Sequence, residues 1–81
     1  MDTMPFTEWS PRRDGGHECT AGNVGLIAYD DGRWSVHLRV EYGATVCWAD
    51  SSMQVPGRNL AEAKLRAKAA GRILLGQQSM K

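Results

Sequence analysis

Residues 34–40 read Trp-Ser-Val-His-Leu-Arg-Val, and this alternation constrains the fold more than any other stretch. Successive side chains of a strand point to opposite faces. Trp34, Val36, Leu38 and Val40 therefore share one face, and Arg33, Ser35, His37 and Arg39 the other. Such a pattern marks a half-buried strand. Asp31-Gly32 stands just before it. As the centre of a type I′ turn, which needs positive φ at both central positions, this pair predicts a tight hairpin. In that register Asp30 faces Arg33, Tyr29 faces Trp34 and Ile27 faces Val36, which sends Leu26 and Ala28 to the outer, polar face. A second turn follows at Glu41-Tyr42-Gly43-Ala44, with Gly43 at the positive-φ position. Residues 45–50 then make a third strand, with Val46 and Trp48 inward and Cys47 and Ala49 outward.

Pro56 and Gly57 end any strand character. Asn59 reads as a helix N-cap, with Glu62 three residues later as in a capping box. The helix is expected from Leu60 to about Leu75, with Gly76 as the residue beyond its end. At helical spacing Leu60, Ala63, Ala67, Ala70, Gly71 and Leu74 form one stripe. Four of these six are Ala or Gly, so the helix can lie close against the large side chains of the sheet. Gly71 costs about 1 kcal/mol relative to Ala inside a helix, and close approach is the reason expected for it.

The expected fold is thus α+β: a three-stranded antiparallel meander packed on one C-terminal helix. Residues 23–77 form the single β-β-β-α domain, and residues 78–81 a tail. Residues 1–22, broken by Pro5, Pro11, Gly15, Gly16 and Gly22, are expected as an irregular N-terminal arm that is flexible or loosely docked. Phe6 and Trp9 are its only large apolar residues. The arm is acidic: residues 1–32 carry two cations against six anions, net −4, while residues 33–81 carry eight against three, net +5. Docking of this arm on the basic outer face of the sheet is the expected arrangement.

No apolar run approaches the roughly 18 residues of a membrane span. The first residues lack the basic-then-apolar order of a secretory signal, so a cytoplasmic location is expected. Cys19 and Cys47 are too few for a disulfide framework and read as free thiols. His17, Cys19, His37 and Cys47 match no zinc spacing, so no metal is expected. Asp30 and Asp31 read as turn residues rather than an acid–base pair. No glycine pattern fits a phosphate loop. The expectation is a chain without enzymatic activity or cofactor.

Two surfaces remain as candidates for contact. Lys64, Lys68 and Arg72 form a ridge at spacing four, with Arg58 beside the helix start; this ridge is either a solvated face or a phosphate contact. Beside it, Leu65, Ala69 and Ile73 form a ridge for rim packing or self-association. Arg33, His37, Arg39 and Cys47 on the outer sheet face form a surface for a partner or for the arm. The two basic surfaces lie on opposite sides of the sheet and cannot make one flat patch.

Residues 61–74, Ala-Glu-Ala-Lys-Leu-Arg-Ala-Lys-Ala-Ala-Gly-Arg-Ile-Leu, resemble the Ala-rich final helix of double-stranded RNA-binding domains. The pair of phosphate-binding lysines that precedes this stretch in that family is replaced here by Leu60 and Ala61. Residues 31–40 followed by residues 59–71 look like small bacterial and phage modules in which a Gly-Trp-type hairpin precedes a helix. HicB-type antitoxins share that general architecture. The second resemblance implies an accessory protein that works by contact, for example by inhibiting a host or defence protein. The reading is a non-catalytic protein that binds an unknown protein partner or itself, with nucleic-acid binding through the helix ridge as the alternative.

Overall fold

The computed structural model describes residues 6–79. The elements are β1 (Ser10–Pro11), β2 (His17–Ala21), β3 (Val24–Ala28), β4 (Trp34–Arg39), β5 (Thr45–Asp50) and the helix α1 (Leu60–Ser79). The strands form one antiparallel sheet in the order β1-β2-β3-β4-β5. The α+β class and the C-terminal helix match expectation, and the count of three strands is corrected to five among the described residues.

The two added strands come from the expected arm. Ala21 pairs with Val24 across Gly22-Asn23, and Gly22 has φ 61°. Positive φ at the first central residue alone suits a type II′ turn, a tight hairpin connection. The chain before β1 covers the far side of β2: the Thr7 N–H donates to the Thr20 carbonyl at 2.9 Å, and the Thr20 N–H to Thr7 Oγ1 at 3.1 Å. Phe6 and Trp9 pack against the core on the helix side, not on the outer face. Residues 1–5 of the arm and 80–81 of the tail lie outside the described residues. The helix continues through Gly76 to Ser79.

The β3–β4 hairpin differs from its expected register by one residue. Ala28 pairs with Trp34 and Leu26 with Val36. The Gly32 N–H donates to the Tyr29 carbonyl at 3.0 Å and the Tyr29 N–H to the Arg33 carbonyl at 2.9 Å. Gly32 has φ 97°, while neither Asp30 nor Asp31 is at positive φ. This is a longer loop in which a single glycine takes the left-handed position, not a I′ turn. A one-residue slip exchanges the faces of a strand. Val24, Leu26 and Ala28 therefore point inward and are at most 1% exposed, and Ile27 points outward. The turn with two positive φ values occurs instead at Tyr42 (φ 65°) and Gly43 (φ 77°).

β5 is bulged. Val36 pairs with Ala49 but His37 with Cys47, leaving Trp48 without an opposite residue. The bulge turns Ala49 into the core, where it is 4% exposed, so its expected outward position is corrected. Trp48 packs against the core from its half-buried place, whereas Val46 remains 52% exposed.

The core is the inner sheet face against the small-residue stripe of α1. Ala63, Ala67, Ala70, Gly71 and Leu74 are buried as expected, and α1 lies mainly across β3 and β4. A Cβ on Gly71 would stand 2.7 Å from Leu26 Cδ2 and 3.0 Å from Phe6 Cζ, which is the close approach its position implied. Trp34 is 2% exposed and donates its indole N–H to the Val55 carbonyl at 3.0 Å. The connector is thus tied to the core through a satisfied polar atom. At the helix start the Glu62 N–H donates to Asn59 Oδ1 at 3.0 Å. Glu62 accepts from the Arg58 N–H at 3.0 Å, so the return half of the capping box falls one residue before the cap.

Candidate interaction surface on the outer sheet face

With α1 on one side only, the other face of the sheet has no helix over it among the described residues. The strand register arranges this face in rows. Thr20, Gly25, His37 and Cys47 lie in one line across β2 to β5. Glu18, Ile27, Ser35 and Asp50 form the next, and Arg39 and Thr45 pair beyond. Between the rows is an open depression of about 320 Å³ whose lining includes Thr20, Gly25, Ile27, His37, Arg39 and Thr45. A smaller recess of about 90 Å³ continues it toward Gly22 and Asn23.

The expected outer-face set is brought together in part. His37, Arg39 and Cys47 share the face, and His37 and Cys47 are direct cross-strand partners. Arg33 is held in the β3–β4 loop: it donates to Asp31 at 2.8 Å, and its guanidinium lies 4.6 Å from the centre of the Tyr29 ring. The sequence reading missed Arg12, Thr20, Gly25 and Thr45. Gly22-Asn23 was the available signal, because it sets up a hairpin that adds β2 and brings Thr20 beside Gly25.

Charges on this face are unequally engaged. Arg12 donates to Glu18 at 2.7 Å and to Asp14 at 3.1 Å. Arg39 has no ion pair among the described residues. The His37 imidazole is held below its ordinary value, first by burial and then by Arg12, with Asp50 acting the other way. Neutral His37 therefore offers a donor without charge.

The Cys47 thiol donates to Asp50 Oδ2 at 3.6 Å and to the Ala49 carbonyl at 3.7 Å. Burial and the Asp50 carboxylate push this thiol up, opposite to the lowered value that makes a nucleophile. Cys19 is buried and its thiol is likewise raised by burial. Among the described residues no group of three or more His, Cys, Asp or Glu is placed to hold a metal ion. No helix among them is long and apolar enough to cross a membrane.

The expected basic ridge is less uniform than its spacing implied. Arg58 is tied to Glu62 at 2.8 Å. Lys64 lies half-buried with its Nζ 5.5 Å from the centre of the Trp9 ring, a cation–π geometry. Lys68 is also half-buried, and Arg72 is exposed. Leu65 and Ile73 are 67% and 56% exposed on another side of α1. Comparison with protein-family models, with curated proteins and with solved structures finds no match for this chain.

Proposed function

We propose that this chain is a small non-catalytic protein-interaction module that receives a protein partner on its outer sheet face. The observation that carries the reading is a sheet covered by a helix on one side only. Its other side forms a depression lined by the half-buried Ile27 and by polar residues. Antiparallel sheets do leave one face to solvent, so openness alone is not the argument. Concavity with mixed apolar and polar lining is the feature that favours a ligand or partner. An accessory role by contact, as the resemblance to bacterial and phage modules implies, fits such a surface.

The test uses the exposed thiol. A photoreactive maleimide on Cys47, with Cys19 buried, reports what lies over the outer face in native lysate. The control carries the same probe at Leu65→Cys in a Cys47→Ser background. A specific adduct from position 47 and none from position 65 is the expected result. The reverse pattern would move the interaction surface to the helix.

Nucleic-acid binding through Lys64, Lys68 and Arg72 is the alternative, supported by their four-residue spacing and by the exposure of Arg72. It predicts binding that weakens steeply with salt. Absence of DNA or RNA binding at low salt would remove it.

A further inference from the structure

Gly25 occupies the middle strand of the sheet, where glycine is less favourable than Ala. The usual internal reasons for a glycine are missing here. Its φ is not in the left-handed region, and a Cβ built on it would meet nothing within 4 Å. Gly71, by contrast, is explained by Leu26 and Phe6, and Gly32 by the carbonyl of Gly57. A strand glycine with no fold-based reason often marks close approach by a ligand or another backbone.

The surroundings of Gly25 define the chemistry of that approach. Thr20 and His37 are its direct neighbours in the row, and Arg39 and Thr45 line the same recess. Two threonines, a histidine and an arginine thus line a recess in which Gly25 places no side chain. Arg12 is neutralised by Glu18 and Asp14, so Arg39 is the single cation without an ion pair among the described residues that line the depression. One such cation with hydroxyl donors matches a monoanion, and guanidinium pairs with carboxylate through charge-assisted hydrogen bonds.

We propose that the notch over Gly25 is a carboxylate subsite, in which Arg39, with Thr20, Thr45 and His37, holds an aspartate or glutamate side chain of the partner. This rests on the outer face being the interaction surface. The carboxylate enters where a Cβ would otherwise stand, and Ile27 contacts the apolar part of the same segment.

The test is an amide NMR titration of the full chain at constant ionic strength. The probes are N-acetyl-aspartate methylamide, N-acetyl-asparagine methylamide and inorganic phosphate. Expected are saturable shifts at Thr20, Gly25, His37 and Arg39 with the aspartate probe, at least tenfold weaker with the asparagine probe. Arg39→Gln should weaken the aspartate probe at least tenfold. Gly25→Val should abolish its binding while the spectrum stays folded. Gly25→Ala should leave the melting temperature unchanged or raised. A fall in melting temperature for Gly25→Ala would give the glycine a role in the fold and overturn the inference. Equal binding of the aspartate and asparagine probes would overturn it as well. Tenfold tighter binding of phosphate at the same residues would reassign the notch and overturn the carboxylate assignment. Loss of the aspartate-specific shifts with the Cys47 adduct retained would sink the subsite and leave the surface standing. Loss of the adduct with the shifts retained would do the opposite.

Discussion

Tyr42 is the one non-glycine among the described residues at positive φ, at 65°, and it is 98% exposed. A side chain in the left-handed region costs roughly 1–2 kcal/mol. No burial of Tyr42 offsets that cost. Tyr42→Gly is therefore expected to stabilise the chain, by up to about 1 kcal/mol after the entropy glycine loses on folding. Urea unfolding with an unchanged m-value checks it; a lower midpoint would mean that the ring makes a contact worth more than the strain. His37 gives a second prediction at this scale. Its folded-state value lies below the ordinary 6.5, so the unfolded chain binds the proton more readily. Its contribution is present above about pH 6.5 and is lost as pH falls through the lowered folded value. His37→Gln should remove that part of the pH dependence, as read from melting temperatures between about pH 5 and 8, where imidazole titrates. Parallel profiles for the two proteins would count against it. Neither residue's state was legible beforehand: Tyr42 looked like an ordinary turn residue, and the burial of His37 depends on strands far away in sequence.

At the scale of elements, the turns decide which face each strand presents. Gly15 and Gly32 both have positive φ, 90° and 97°, but their surroundings differ. A Cβ on Gly15 meets nothing within 4 Å, whereas one on Gly32 would overlap the Gly57 carbonyl oxygen. Gly15→Ala should cost only the backbone strain, about 1 kcal/mol. Gly32→Ala must also break the contact in which the Gly57 N–H donates to the Gly32 carbonyl at 2.9 Å, and should cost clearly more. Chemical denaturation of the two variants ranks them, and equal losses would show that the connector yields freely. The start of the helix and its buried face were legible, because the cap and the Ala stripe are local patterns. Its end was not, since the helix runs on through Gly76 to Ser79. The β2 strand was not, because His17–Ala21 is short and its inward residues, Cys19 and Ala21, are small. The bulge at Trp48 was also hidden, since nothing in residues 45–50 distinguishes a bulged strand from a regular one.

For the molecule as a whole, the segment expected as a loose arm is part of the fold. Cys19 and Ala21 are in the core, and Phe6 and Trp9 lean on it. A chain of this length buries only about 60% of its unfolded surface, so such contributions weigh heavily. Deleting residues 1–9 should cost roughly 2 kcal/mol, about half the burial value of two large side chains. It also uncovers the β2 edge that Thr7 now occupies, and open edges recruit other strands. Lower thermal stability together with concentration-dependent mass in light scattering is the expected outcome. A truncated chain as stable and as monomeric as the parent would return residues 6–9 to the status of an arm.

The sequence alone determined the alternation of β4 and the capped helix with its small-residue stripe, because each follows from spacing within a few residues. It did not determine the facing of β3, since both phases of that strand are apolar: Val24, Leu26 and Ala28 in one, Ile27 and Tyr29 in the other. Tertiary structure made that choice. Gly32, held against Gly57, takes the left-handed position alone, the hairpin lengthens by one residue, and Leu26 turns inward under α1. The same shift leaves Gly25 facing out between Thr20 and His37, so the notch is a product of register that local spacing could not specify.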